Sequence, residues 1–184
     1  PPAGRTYTLS QGNTRMVLLD KTVKLLVGAA AVIAALLFAA IFLLVNVEIF
    51  CRYILNTSTL LADEYGGYFF AVAVYTGLNH SLYHDRLLKI DLPGAWATFV
   101  NKPIPRLIVT ACTATLNVIL LYAIWQTFSA SVQFGSRSIQ ASRTPLAYPQ
   151  GGVTFGIALL ALVSLFLLIR QLIIVFMGQP EKTS

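Results

Sequence analysis

The stretch that decides the fold is LLVGAAAVIAALLFAAIFLLV, residues 25–45, in which 21 consecutive residues carry no polar side chain. An α-helix rises about 1.5 Å per residue, so this stretch is about 31 Å long and matches the hydrocarbon thickness of a bilayer. Apolar residues make up 57% of the 184-residue chain and charged residues only 11%, against about a quarter in soluble domains. The chain is therefore predicted to be a helical integral membrane protein.

Three further apolar stretches predict an all-α membrane fold with four transmembrane helices. The four predicted spans cover about 25–53, 60–84, 104–130 and 150–177. We expect residues 1–184 to form one membrane domain, with 1–24 as a cytoplasmic segment. Apolar residues of 87–100 alternate with charges in a stretch too short to cross, which is typical of an interfacial segment on the membrane surface.

Basic residues are distributed unevenly between the two sides of this arrangement. Ten of the 13 Lys and Arg residues fall in the N-terminal segment, the connection 85–106 and the C-terminal end. The other three, Arg52, Arg137 and Arg143, fall on the opposite side. Because cytoplasmic segments are enriched in Lys and Arg, both termini are predicted to be cytoplasmic. The net charge of +6 is explained by topology, and nucleic acid is not an expected partner.

Few residues suit catalysis or metal binding. Cys51 and Cys112 lie on different apolar stretches and form no CxxC motif, which disfavours a metal or disulfide framework. His80 and His84 have the i, i+4 spacing that can ligate metal or haem when another helix supplies partners. Since the chain has only these two histidines and both lie on one predicted helix, we predict no metal and no cofactor, and a four-helix b-type cytochrome is a less favoured alternative. The sequence shows no Gly-rich phosphate loop, nucleophile triad or paired-carboxylate catalytic set, so no enzyme activity is predicted.

Two adjacent acids, Asp63 and Glu64, open the second predicted span. Negative charge is favourable in the first turn of a helix because the macrodipole is positive there, and Ser58 or Thr59 is suited to cap that turn. Both acids fall at the external interface of the predicted topology. A structural role is therefore favoured over an ion or proton site.

Arg52, at the end of the first span, is the expected partner of these acids. A pair with Glu64 or Asp63 would hold the first helical hairpin together, while Glu48 competes for the guanidinium as an i, i+4 neighbour. Arg52, Asp63, Glu64 and Glu48 are therefore predicted to form a partly desolvated network at the external rim. Breaking one member of such a network costs more than the pair itself contributes.

Other polar and small residues within the spans are predicted to serve helix packing. Hydroxyl and amide groups in the third span are expected to hydrogen-bond across helices. These residues are Thr110, Thr113, Thr115 and Asn117. Three glycines of the second span are expected to allow a close helix approach. They are Gly66, Gly67 and Gly77.

Four short pieces of sequence occur in a distinctive order along the chain. They are EIFCRYILNTS (48–58), LADEYGGYFF (61–70), HDRLLKIDLP (84–93) and TPLAYPQ (144–150). In this order they resemble the small membrane subunit (DctQ type) of tripartite ATP-independent periplasmic (TRAP) transporters. The sequence departs from the family pattern at Leu61, where the family has Trp, and at LLKI, which replaces a Gly-His-hydrophobic step.

The resemblance implies a non-catalytic subunit of the bacterial inner membrane. It implies two partners: a large membrane permease subunit that carries the substrate and sodium sites, and a periplasmic substrate-binding protein that joins through the complex. The small subunit would pack against the large one within the lipid bilayer and widen the fixed frame of an elevator. An accessory or anchor subunit of a respiratory or photosynthetic complex would use the same helices and is the main alternative.

Overall fold

The computed structural model describes residues 12–84, 103–140 and 142–177. The helices in this part of the chain are α1 (Gly12–Ile54), α2 (Leu61–Tyr83), α3 (Pro103–Phe134) and α4 (Ala147–Met177). Apart from one isolated β-bridge, these residues contain no strand. The prediction of an all-α fold is confirmed for this part of the chain, and the predicted interfacial segment 87–100 lies outside it.

Three of the helices are long and apolar enough to cross a membrane. Their candidate spans are Leu19–Ile54, Ile104–Phe134 and Ala147–Ile173. Their large apolar side chains are widely exposed, as at Phe42 (68%) and Leu116 (66%), which suits lipid and not water. Helix α2 is shorter and does not meet the same criterion, because polar residues interrupt its apolar stretch.

Helix α1 is longer than its predicted span. It has 43 residues, about 65 Å of helix, which is roughly twice the hydrocarbon thickness. It begins well before residue 25 because residues 13–27 contain neither Gly nor Pro to end a helix. It ends before Asn56, which adopts a left-handed backbone (φ 50°) that Asn tolerates better than most residues.

The helices pack side by side in the order α1–α2–α4–α3. Helices α2 and α4 are the inner pair. Helix α3 packs on α4, and α1 packs mainly on α2 with a smaller contact to α4 at Val163. The apolar window of α4 is 44% buried, against 17% for α1 and 11% for α3. A row of this kind concentrates its core along the inner pair and leaves the outer helices open on several sides.

The row has two distinct ends. At one end, here called the terminal end, the Tyr83 hydroxyl donates to Asp20 Oδ1 (2.9 Å), and Val23 and Val27 of α1 pack with Val163 of α4. The other end, here called the hairpin end, holds the turn 55–60 and the loop 135–146. Helix α1 therefore begins at the end of the row where α4 finishes.

The inner pair is held at short range by two glycines of α4. A Cβ atom at Gly156 would lie 3.1 Å from Tyr75 Cβ and 3.3 Å from the backbone nitrogen of Thr76. A Cβ atom at Gly152 would lie 2.9 Å from a methyl group of Val72. Side chains at these two positions would push α4 away from α2.

The glycines predicted to allow close approach have a smaller part in packing. Cβ atoms at Gly66 and Gly67 would meet nothing within 4 Å, and one at Gly77 would make ordinary contact with Ala34. Within the described residues the close-packing glycines therefore lie on α4, and no other helix of the chain approaches Gly66 or Gly67.

Candidate functional site

Glu48 lies near the end of α1 and is 6% exposed. One carboxylate oxygen accepts hydrogen bonds from Arg52 Nη2 (3.2 Å) and Ser58 Oγ (2.6 Å). The other accepts from the backbone nitrogen of Thr59 (3.3 Å) and from the Thr59 hydroxyl. These bonds tie the end of α1 to the turn that leads into α2.

Glu64 lies in the first turn of α2 and is 3% exposed. Its carboxylate accepts from Ser142 Oγ (2.5 Å), which is 78 residues away in the sequence, and from the Tyr68 hydroxyl (3.0 Å). Ser142 Oγ also lies 2.6 Å from Thr144 Oγ1, which is 2.9 Å from the Tyr65 hydroxyl. A chain of hydroxyl groups thus joins the start of α2 to the loop 135–146.

The partner of Arg52 differs from the one that the predicted network favoured. Its guanidinium forms a salt bridge with Glu48, and within the described residues it forms none with Asp63 or Glu64. Asp63 is exposed, whereas Glu64 is turned towards Ser142. Glu48 is the partner because it lies one turn away on the same helix and because the hydroxyl groups of the turn complete its hydrogen bonds.

Neither Ser58 nor Thr59 is the N-cap residue of α2, contrary to the prediction. Leu60 precedes the helix in a left-handed backbone (φ 55°), without a side-chain capping bond. The Ser58 and Thr59 hydroxyls donate to Glu48 instead, and Thr59 Oγ1 accepts only a long bond (3.4 Å) from the nitrogen of Leu61. The polar turn therefore serves the buried carboxylate of the preceding helix.

Sequence reasoning missed the hydroxyl partners of both carboxylates. For Glu48 the signal was available, because Ser58 and Thr59 follow Arg52 within a short polar turn. For Glu64 it was not, because Ser142 and Thr144 are two of many hydroxyl residues in 129–149. Only the helix order identifies which of them reach α2.

Asn79 is the most deeply buried polar side chain of α2, at 0% exposure. Its amide nitrogen donates to the Tyr75 carbonyl (2.8 Å) and to the Gly156 carbonyl of α4 (3.3 Å). Its Oδ1 atom and the neighbouring His80 Nδ1 atom are buried without a protein partner. The amide links the inner pair at the point where Gly156 brings the helices together.

The rings of His80 and His84 contact each other at the terminal end of α2, inclined by 50°. Their ring centroids are 4.4 Å apart. No group of three or more His, Cys, Asp or Glu side chains that could hold a metal occurs among the residues that the structure describes.

The threonines of α3 hydrogen-bond to their own helix. Thr110, Thr113 and Thr115 each donate to the carbonyl four residues earlier, at 2.9 Å. The prediction of bonds across helices is therefore wrong for these three hydroxyls. Helix α3 is an outer helix of the row, and threonine hydroxyls in a helix commonly bond to the carbonyl four residues earlier.

An apolar groove of about 640 Å³ lies between α3 and α4. Aromatic side chains dominate its lining, among them Tyr122, Trp125, Phe128 and Phe155. No Asp, Glu, Lys, Arg or His contributes to this lining. The groove suits hydrocarbon and lacks the charged groups that an ion site requires.

The chain matches a family of known proteins over most of its length. Residues 41–173 match the family described as "Tripartite ATP-independent periplasmic transporters, DctQ component". The match includes both buried carboxylates and the loop that reaches Glu64. Neither the curated proteins nor the solved structures yield a match to the chain.

Proposed function

The chain belongs to the DctQ component family of TRAP transporters, and on this premise we propose that it is the small membrane subunit that scaffolds a large permease subunit. In this proposal the large subunit carries the substrate and sodium sites, and a periplasmic substrate-binding protein joins through the complex. The chain itself is non-catalytic. It supplies a fixed frame against which the mobile part of the large subunit moves.

The helix row is the observation that carries the scaffold role. Transport or cofactor sites in helical bundles are built from side chains that face a common interior. Four helices in the order α1–α2–α4–α3 instead offer long lateral surfaces. Such surfaces suit packing along another membrane protein, and they place no ring of facing side chains around a pathway.

A frame must also resist the movement of its partner, and three features of the row support that requirement. Gly156 lets α4 lie against the backbone of α2, and Gly152 leaves room for the side chain of Val72. Asn79 adds a hydrogen bond across the same interface. Glu64 ties α2 to the loop between α3 and α4. Together these contacts link α1 and α2 to α3 and α4, which supports the proposal that residues 1–184 form one membrane domain.

Helix α2 is the fourth membrane span of this proposal. Its 23 residues give about 34 Å of helix, close to the hydrocarbon thickness of about 30 Å. Low hydropathy is tolerable because α2 is an inner helix, where α1 and α4 cover much of its surface. Its buried polar residues, Thr76 and Asn79, bond to backbone carbonyl groups rather than to lipid.

Four spans place both termini on one side of the membrane, and the excess of Lys and Arg assigns that side to the cytoplasm of a bacterial inner membrane. The hairpin end is then periplasmic. Because α1 begins at Gly12, part of the proposed cytoplasmic segment 1–24 continues the first span as helix.

The proposal is tested by co-purification and transport. We expect an affinity-tagged chain, expressed with its neighbouring genes, to retain a permease of roughly a dozen spans in a fixed ratio. We expect substrate uptake into proteoliposomes under a sodium gradient to require the chain. A permease that transports equally well without it would contradict the scaffold role.

The main alternative makes a different prediction in the same purification. An anchor subunit of a respiratory or photosynthetic complex would retain haem- or pigment-bearing partners, and a b-type cytochrome would show a Soret band by itself. Either absorbance signature, in a preparation without a permease, would replace the transporter proposal.

A further inference from the structure

The apolar groove between α3 and α4 follows the half of α3 that is nearer the hairpin end. Its lining on α3 runs from Val118, in the middle of the helix, to Phe128, which is about 15 Å of helix. That length is half of the hydrocarbon thickness of about 30 Å. The groove therefore has the depth of one leaflet, and it belongs to the leaflet at the hairpin end.

The surface of the groove is almost entirely carbon. Thr154 is one of the few polar residues in the lining, and its hydroxyl donates to the Gln150 carbonyl of its own helix (2.7 Å). The ring of Trp125, which is more than half exposed, forms part of the wall. An occupant is therefore held by close packing of hydrocarbon and is offered few hydrogen-bonding groups.

The volume of the groove distinguishes between two kinds of apolar occupant. A helix is about 10 Å across, so a length of 15 Å takes up about 1,200 Å³. The groove has about 640 Å³, which is close to half of that volume. A single acyl chain is much thinner than a helix, and it extends from the headgroups towards the bilayer centre in the direction that the groove follows.

Two arginines lie at the hairpin end of the groove, because the loop 135–146 joins the two helices that form it. Arg137 and Arg143 are both exposed, and neither forms an ion pair within the described residues. Residues 129–149 contain no Asp or Glu. Positive charge at the level of the headgroups suits the phosphate of a lipid, which a guanidinium binds with two parallel hydrogen bonds.

The loop that carries these arginines is held in a defined conformation. The Ser138 nitrogen donates to the Thr144 carbonyl (2.9 Å), which joins the two arms of the loop. Ser142, beside Arg143, donates to the buried carboxylate of Glu64 (2.5 Å). The positions of the arginine backbones relative to the groove are therefore fixed before any ligand binds.

We propose that the groove between α3 and α4 is a binding site for one anionic phospholipid, with an acyl chain against Trp125 and Phe155 and the headgroup phosphate at Arg137 and Arg143. The site uses residues of this chain alone, so it goes beyond the scaffold role and does not depend on a partner. The lipid covers part of α3, whose apolar window is only 11% buried, and packs it against α4.

Trp125 reports on the acyl chain, because it lines the groove and the chain has only one other tryptophan, Trp96. The full chain with Trp96→Phe is placed in phosphatidylcholine nanodiscs that contain a brominated lipid, which quenches tryptophan fluorescence on contact. We expect brominated phosphatidylglycerol to reach half-maximal quenching at a mole fraction about tenfold lower than brominated phosphatidylcholine, because two arginines near the headgroups favour anionic lipid.

Two variants separate the headgroup contact from the groove. Arg137→Gln/Arg143→Gln should remove the preference for phosphatidylglycerol and leave quenching by phosphatidylcholine unchanged. Ala158→Phe places a ring in the groove, and it should remove the same preference because the acyl chain cannot enter. Circular dichroism, measured first, establishes that each variant keeps its helix content.

Matched changes elsewhere in the chain provide the controls. Lys21→Gln/Lys24→Gln makes the same change of charge at two exposed positions of the terminal end. Ala35→Phe makes the same change of size on an exposed face of α1. We expect both to keep the tenfold preference at Trp125.

Equal quenching by the two lipids in the wild-type chain would overturn the lipid site, and so would a preference that survives in either groove variant. These measurements use the chain alone, so they stand or fall separately from the scaffold proposal. In the co-purified complex, native mass spectrometry should find one phosphatidylglycerol fewer with Ala158→Phe than with wild type. Loss of the permease from that variant would instead make the groove a contact with the large subunit and would overturn the lipid site.

Discussion

Glu48 and Glu64 are both buried carboxylates at the hairpin end, yet they are stabilised in opposite ways. All donors to Glu48 lie within 11 residues of it and include the guanidinium of Arg52. Glu64 relies on neutral hydroxyl groups, and one of them is 78 residues away. Glu48 therefore stabilises a local hairpin, whereas Glu64 joins two separate parts of the fold.

An unfavourable backbone conformation occurs near each of the two carboxylates. Leu60 beside the Glu48 turn and Arg143 beside the Glu64 contact both adopt positive φ angles. Non-glycine residues hold this conformation only where surrounding contacts impose it. In both places, hydrogen bonds to a buried charge supply those contacts.

The largest loss of stability is expected from Gly156→Ala, because Gly156 lies where α4 packs closely against α2. The added methyl group would press on Tyr75 Cβ at 3.1 Å and on the backbone of α2 at 3.3 Å, and overpacking of this kind costs about 1–3 kcal/mol. Denaturant titration in detergent measures the free energy of unfolding of Gly156→Ala and of the wild type, and so tests this prediction.

Gly66→Ala is the matched control for this experiment, because its Cβ atom would meet nothing within 4 Å. It should be neutral or stabilising by up to about 1 kcal/mol, since Ala favours helix more than Gly. Equal effects at the two positions would mean that close packing of α4 on α2 is not what the glycine supports.

Glu64→Ala should release the loop 135–146 without loosening the first hairpin. Ser142 and Tyr68 lose their shared acceptor, so local opening of the loop becomes more frequent. We expect trypsin to cut after Arg137 and Arg143 about tenfold faster, as followed by mass spectrometry. Unchanged cleavage would show that the loop is held by its own backbone bonds alone.

Glu48→Ala should have the complementary and smaller effect. Arg52 is half-exposed and can be solvated when its partner is lost, and it keeps a contact with Ser58 (3.3 Å). Amide hydrogen exchange across residues 57–61 should rise by about threefold to tenfold, while cleavage in the loop 135–146 stays at the wild-type rate. Faster cleavage there would show that the two carboxylates are coupled.

Glutamine substitutions sharpen the contrast, because they keep the shape of the side chain and remove its charge. At Glu64 the partners are hydroxyl groups, which both donate and accept and can turn to meet an amide. At Glu48 one oxygen faces the Arg52 guanidinium and the other faces the Thr59 backbone nitrogen. Both groups only donate, so an amide nitrogen loses a bond in either orientation. The loop 135–146 of Glu64→Gln should therefore keep most of its resistance to trypsin. Residues 57–61 of Glu48→Gln should lose more of their resistance to amide hydrogen exchange.

The contrast also explains what the sequence could predict. The apolar run 25–45 and the i, i+4 spacing of Glu48 and Arg52 are local patterns, and they predicted a membrane helix and a competitor for the guanidinium that the structure contains. The bond between Glu64 and Ser142 depends on which helices are neighbours. Periodicity does not contain that information.

The same limit applies to packing. The sequence does not distinguish the glycines that pack against another helix from those that do not. The order α1–α2–α4–α3 places Gly152 and Gly156 against α2 and leaves Gly66 and Gly67 without a neighbour within 4 Å. The threonines of α3 follow the same rule, since a hydroxyl bonds across helices only where a neighbour is present. Residue type was informative about lipid exposure, and helix order decided the contacts.

The smallest effect is expected at Asp63, which is adjacent to Glu64 but exposed. Asp63→Asn should change the free energy of unfolding by no more than about 0.5 kcal/mol, the range of ordinary surface substitutions. The rate of trypsin cleavage in the loop 135–146 and the rate of amide hydrogen exchange across residues 57–61 should both match the wild type. A large loss of stability, faster trypsin cleavage or faster hydrogen exchange would mean that Asp63 takes part in the network at the external rim, as the sequence predicted. Negative charge at the start of α2 would then matter more than the hydrogen bonds of the two buried carboxylates.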